Sequence, residues 1–349
     1  MAVRSETLIV LGAGASKDFK LPLGEGLKEE IRKKLDIKFP DFGQNLESGD
    51  YKIVEAYRLL AQSEPKARDI TPYLEASLKI AAAMPHCDSI DDYLEKHQGN
   101  PLYEVCGKIA IARCILEAES NSTLAPKNRQ PDPTKSASFT TSWMSSFMRT
   151  VTKGVTRANI ASAFDEMLIV NFNYDRCFEI YAYHWLRISY VLDHAEAADV
   201  VNKIQMIRPY GYLGPLPTIT GDTGVGFGQD PSPRLLIDIS SAVKTYSESN
   251  QYNSVTEAIA SFLAKAKKIA FFGFAFHDQN MKFFDITRPT VPLPRHVFAS
   301  TYEIPQPRWT LINDSLQKCF KMEPRHLYSH GHDGDCSAFF KEYGANIFA

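Results

Sequence analysis

Paired cysteines are missing from this 349-residue sequence: Cys87, Cys106, Cys114, Cys177, Cys319 and Cys336 are scattered, and no two form a C-x-x-C pair. That spacing argues against a zinc ribbon or a disulfide framework and predicts reduced, mostly buried thiols. Long apolar runs are missing too. Residues 8–11 and 269–276 fall far short of the roughly 20 apolar residues a spanning helix needs, so no membrane span is expected. The N-terminus also lacks a long apolar segment ending in a small-residue cleavage site, and the expected location is the cytoplasm. Nor does charge of one sign dominate. The formal net charge is -2 and the cations are spread along the chain, so bulk electrostatics give no reason to expect direct nucleic-acid binding. Repeats of fixed period are absent as well.

What remains is an ordinary globular composition, 44% apolar and 23% charged, enough for one large core or two modest ones. The run TLIVL at residues 7–11 ends at a glycine and reads as a buried parallel strand. Leu27, Ile31 and Leu35 then recur at four-residue spacing among Lys and Glu, which predicts an amphipathic helix over 26–36. From about residue 50 to 118 the pattern is helical, with segments bounded by Pro, Gly or Asp/Ser signals. Residues 119–138 have the proline and polar content of an exposed loop, and a further helix begins near residue 140.

A second strand, MLIV at 167–170, ends in Asn171-Phe172-Asn173-Tyr174-Asp175 and feeds a helix. Residues 203–207 lead into Arg208-Pro209-Tyr210-Gly211, residues 234–239 (RLLIDI) read as another strand, and KIAFF at 268–272 runs into Gly273-Phe274. HVFAST at 296–301 and a helix after it close the pattern. Apolar strands alternating with helices predict an α/β fold, a Rossmann-like parallel sheet with helices on both faces. The expected organisation is a single domain over 1–349: a core from 1–40 and 160–349, and a helical insertion at about 41–159 that could stand as a separate lobe.

In such sheets ligands bind beyond the carboxyl ends of the strands. Four polar turns sit there, beginning at Gly12, Asn171, Arg208 and Gly273. The first, Gly12-Ala13-Gly14-Ala15-Ser16, either brings backbone N–H groups to an anion such as phosphate or is a tight structural turn. It departs from the dehydrogenase pattern G-x-G-x-x-G, since Lys17 stands at the third glycine and a helix fills the interval before any acidic strand end. The second turn carries Asn173 and Asp175, which either serve a ligand or form an Asx turn with Asp175 capping the next helix. His326, His330 and His332 allow a metal site or, given Gly331 and Gly334, a solvated loop.

Taken in order, these motifs resemble the sirtuin-like NAD-hydrolase family of bacterial antiphage defence proteins. LGAGAS (11–16) looks like its nucleotide loop, DSIDDYLE (88–95) is similar to a short acidic helix the family often carries, and NFNYD (171–175) resembles its TxNYD segment. YGYLG (210–214) and FFGFAFHD (271–278) look like its His-Gly and late Gly-Phe turns. The resemblance implies a sirtuin-like fold and hydrolysis of NAD+, as substrate, to nicotinamide and ADP-ribose without a metal. It implies that Asn173 orients the ribose and the attacking water, while Asp175 contacts the nicotinamide amide or holds its loop. Gly12, Ala13, Gly14 and Ser16 would cradle the pyrophosphate, and Gly211, Gly273 and Phe274 would complete the nucleotide site.

Two departures shape the expectation. Without cysteine pairs, deacylation of proteins is disfavoured. Tyr210 replaces the family's histidine, and a phenol with an ordinary pKa of about 10 is a poor general base near neutrality. His277 is the nearest substitute in sequence. The alternative reading is therefore a catalytically weak NAD/ADP-ribose-binding subunit of a defence complex. Expected partners are further copies of the chain, as a homo-oligomer, and an ATPase or other defence protein docking on the helical insertion.

Overall fold

The computed structural model describes residues 5–40, 45–63, 69–126, 132–221, 224–250, 254–285, 294–320 and 326–348. Six short strands are present: β1 (Thr7–Leu11), β2 (Met167–Asn171), β3 (Met206–Ile207), β4 (Lys268–Phe272), β5 (Arg295–Ser300) and β6 (Leu327–His332). All pair in parallel, in the order β3-β2-β1-β4-β5-β6. This is the Rossmann-type order, whose direction of winding reverses beside β1, and the crevice at that reversal is where ligands of such sheets bind.

Alternation along each strand sends side chains to two separate cores. Leu8, Val10, Leu168, Val170, Ile269 and Phe271 face one; Ile9, Leu11, Ile169, Ala270 and Phe272 face the other. Because both faces are covered, the strands read as unbroken apolar runs. The helix Gly24–Leu35 buries Ile31 and Leu35 on the first face, matching the predicted amphipathic helix.

The insertion does not form a lobe of its own. Its helices Tyr51–Ser63, Thr71–Ala83 and Pro101–Asn121 pack in the first core, while Trp143–Val151 packs in the second against Cys336–Phe348. Three local expectations are corrected. Residues 234–239 lie in a helix, Pro233–Ser240, started by the Ser232 side chain accepting from the Leu235 amide at 3.2 Å; Leu236 and Ile239, three apart, are its buried face. The histidine segment is a strand, β6, and Gly331 lies in it because a Cβ there would come within 2.8 Å of the Trp309 ring. The expected loop over 119–138 is shorter than its composition suggested, since the helix runs on to Asn121, and residues 127–131 lie outside the described residues. Among the described residues, no helix is long and apolar enough to cross a membrane.

Candidate functional site

The turns after β1 and β4 are pressed into one another. Gly12 donates its amide to Phe272 O at 3.0 Å, and Gly14 donates to Gly273 O at 3.0 Å. A Cβ at Gly12 would approach Gly273 O to 2.5 Å, and one at Gly14 would approach Gly273 Cα to 2.7 Å. Gly273 itself has φ +57°, a left-handed conformation that favours glycine. The Ser300 hydroxyl fixes it from β5, accepting from its amide at 2.8 Å. These glycines therefore let two backbones touch, and the Gly12 and Gly14 N–H groups serve the protein rather than an anion.

The NFNYD turn is tied to the same glycine loop. Asn173 donates through Nδ2 to Gly12 O at 2.9 Å, and its amide donates to Asn171 Oδ1 at 3.0 Å. Asp175 Oδ1 accepts from the Cys177 amide and from the Ser16 hydroxyl, both at 3.0 Å. Asp175 thus forms an Asx turn onto the first residue of the helix Cys177–Ser189 while holding Ser16, but the N-cap position itself belongs to Arg176, which corrects the expectation that Asp175 caps the helix. Burial pushes its carboxyl pKa up, against the pull of the Cys177 and Ser16 hydrogen bonds and the Arg208 charge. Arg208 braces the turn, donating to Asn173 O at 2.8 Å and Asp175 O at 3.1 Å and pairing with Glu179. Behind it, Arg176 and Glu119 form a fully buried pair at 2.6 Å, joining the turn to the long helix of the insertion.

Together the turns line one cleft at the switch point, with a volume of about 160 Å³. Gly12, Ala13, Asn173, Asp175, Tyr210, Gly273 and Phe274 all reach it, as do Asp91, His277 and Gln279. Phe172, Tyr174, Tyr210 and Phe274 give it an aromatic wall, with the Phe172 and Phe274 rings 5.0 Å apart. Gly14, Ser16 and Gly211 lie outside its lining. Gly14 and Ser16 are held as described above, and Gly211, at φ +68°, packs under Ala242 in a bridge to Val243.

Tyr210 stands where a general base is expected but acts as a donor, giving its hydroxyl hydrogen to Asn280 Oδ1 at 2.6 Å. Burial, reinforced by the nearby Asp91 charge, raises its pKa far beyond the phenol range. The titratable group suited to proton transfer is Asp91, which sequence reasoning missed. It lies in the first turn of the short helix Ile90–Lys96, started by the Ser89 hydroxyl accepting from the Asp92 amide at 3.0 Å. Burial lifts its pKa to about 6, although the Tyr174 hydroxyl donates to it and pulls the other way. Its place beside buried Ile90 and three residues before buried Leu94 was the available signal. His277 is half-buried at the cleft, and burial lowers its pKa, so it is neutral near pH 7. Gln279 Nε2 is buried there without a hydrogen-bond partner.

Among the described residues, no group of three or more His, Cys, Asp and Glu side chains could hold a metal ion. His330 instead lies across from His296, with Nε2 and Nδ1 3.4 Å apart, and His332 pairs with Glu342 at 3.1 Å. Fold and cleft define a Rossmann-like α/β protein with a crevice at its topological switch point. No protein-family model matches the chain, and no curated protein matches its sequence.

Proposed function

We propose that the switch-point cleft binds NAD+ and that the chain hydrolyses its nicotinamide–ribose bond. One observation carries the reading: at the carboxyl ends of β1, β2 and β4 the fold gathers Asn173, an aromatic wall and a carboxyl group with a pKa of about 6. Because the nicotinamide ring is cationic while bound to ribose, it departs from C1′ as a neutral molecule without a strong acid, but the oxocarbenium-like transition state gains from nearby negative charge and a held water. As C1′–N breaks and C1′–O forms, ionised Asp91 stabilises the ribosyl cation and takes the proton from the attacking water. His277, neutral near pH 7, is a second acceptor at the cleft. Proton acceptance thus moves away from Tyr210. Asn173, whose Nδ2 is fixed by Gly12 O, keeps its Oδ1 for the water or the ribose. The partnerless Gln279 amide is a donor for a polar group of the ligand. A volume of about 160 Å³ is below the roughly 300–1,000 Å³ typical of ligand pockets, so the cleft encloses one end of the dinucleotide and the rest lies across its mouth.

The sirtuin-like character and the role as an antiphage effector rest on the order of the sequence motifs. A second reading, a binding subunit with little turnover, is favoured by the protonated, hydrogen-bonded Tyr210. Chromatography of nicotinamide released from NAD+ separates the two. Release by wild type that is lost in both Asn173→Ala and Asp91→Asn supports the hydrolase. Tight NAD+ binding without release selects the subunit, and failure to bind any adenine nucleotide removes both.

A further inference from the structure

Away from the cleft, a groove of about 680 Å³ runs between the helices Trp143–Val151 and Cys336–Phe348. Arg149, Lys153 and Lys341 line it together with hydroxyl groups including Ser146, Thr150 and Ser337, and the lining contains no carboxylate. The three cations are exposed, and none forms an ion pair among the described residues. Elsewhere on this chain the helix-surface cations are commonly paired: Arg32 with Glu29, Lys33 with Glu30, Lys96 with Asp92, Arg157 with Glu196 and Lys203 with Asp199. In a protein of net charge -2, three uncompensated cations around one concavity form a local positive field that attracts anions.

A helix C-terminus attracts cations, and this accounts for Arg149 and Lys153 at the end of Trp143–Val151. It does not account for Lys341, which comes from the middle of the other helix and faces the same groove. We infer that this groove binds adjacent phosphate groups, the cations neutralising charge and donating to phosphoryl oxygens, with the Ser146 hydroxyl as a further donor. The only aromatic in its lining is Phe340, which is buried, so no ring is presented for a base to stack on. Recognition is of the phosphate chain, whether as a single-stranded nucleic-acid backbone or as a free polyphosphate. The assignment is independent of how the cleft is read.

The groove's floor also touches the glycine loop. Asp18 accepts from the Trp143 amide at 3.1 Å and from the Ser337 hydroxyl at 3.0 Å, and Trp143 Nε1 donates to Ala15 O at 2.7 Å. These contacts hold both groove helices by their first turns, so the groove is preformed.

The test uses the full chain with two probes at 50 mM salt: a dye-labelled single-stranded 12-mer read by fluorescence anisotropy, and inorganic tripolyphosphate read by calorimetry. The comparison protein is Arg149→Glu/Lys153→Glu/Lys341→Glu, with circular dichroism and the thermal midpoint checking its fold, and Lys33→Glu serves as the charge control. The expected result is binding by wild type and Lys33→Glu and loss in the triple variant. Binding of the 12-mer alone assigns the groove to nucleic acid, and binding of tripolyphosphate alone assigns it to a phosphorylated small molecule. Three phosphate contacts predict a salt slope of about −2 for the 12-mer, a roughly 20-fold loss between 50 and 200 mM salt. No binding of either probe, or equal binding by a folded triple variant, overturns the assignment. If that variant does not fold, Arg149→Gln/Lys341→Gln replaces it, with at least a fivefold loss expected and an unchanged affinity again overturning the assignment.

Discussion

Replacing Asp91 by asparagine should stabilise this protein, and only above a defined pH. The Asp91 carboxyl is held at about 6 against an ordinary value of 3.8 because burial disfavours its charged form. Below pH 4 it is neutral in both folded and unfolded chains and makes no difference. Between pH 4 and 6 the unfolded chain ionises while the folded chain does not, so stability falls as pH rises; above 6 the loss is complete. At 1.36 kcal/mol per pH unit the full loss is about 3 kcal/mol, and solvent contact at this half-buried group brings the expectation to about 1–3 kcal/mol. Asparagine keeps an acceptor for the Tyr174 hydroxyl and cannot ionise. Asp91→Asn should therefore unfold a few degrees higher than wild type at pH 8 and together with it at pH 4, as followed by circular dichroism. A variant less stable than wild type at pH 8, or a gain equal at both pH values, would refute the burial argument. The same substitution should abolish nicotinamide release, which separates a stabilised inactive protein from a misfolded one.

Other substitutions test the scaffold around the cleft. Gly12→Ala places a methyl 2.5 Å from Gly273 O and should cost about 1–3 kcal/mol in urea unfolding, as overpacking does. Glu119→Gln leaves Arg176 as a buried charge without its partner and should cost about 3–5 kcal/mol, whereas replacing both by apolar residues of similar volume should cost much less. Tyr210→Phe removes only the hydrogen bond to Asn280; stability should drop by about 1 kcal/mol, and the pH profile of any nicotinamide release should keep its shape. A profile whose basic limb moves in Tyr210→Phe would return the proton-transfer role to Tyr210.

The strands over the switch point were legible because both sheet faces are buried, which leaves unbroken runs such as TLIVL, MLIV and KIAFF. Their polar ends could be read for the same reason, and four turns noted along the chain meet at one end of the sheet. The strand order was not legible, since pairing of β1 with both β2 and β4 leaves no local mark. RLLIDI at 234–239 was ambiguous as a short apolar run, although the Ser232-Pro233 start is a helix signal. The edge strand β6 was hidden by its glycines, of which Gly331 lies against the Trp309 ring and Gly334 follows the strand beside His332. Asp91 escaped notice because its spacing to Ile90 and Leu94 is a faint mark beside Asp92, one residue on, and its contact with Tyr174 is made only by the fold. The cationic groove was invisible for a simpler reason: Lys341 lies far along the chain from Arg149 and Lys153.

The interlocked glycine turns have a consequence for how relatives of this chain should be compared. Gly12, Gly14 and Gly273 are required by the meeting of two backbones, so they would persist in a descendant that had lost every ligand. Their retention measures whether the sheet can close, and says little about whether anything is turned over. Asp91 and Gln279 are different: one carries a charge that the fold disfavours and the other a buried donor with no partner. The scaffold alone gives little reason to keep either, so drift at these two positions, with the glycines intact, would mark the lineages in which the cleft has fallen silent.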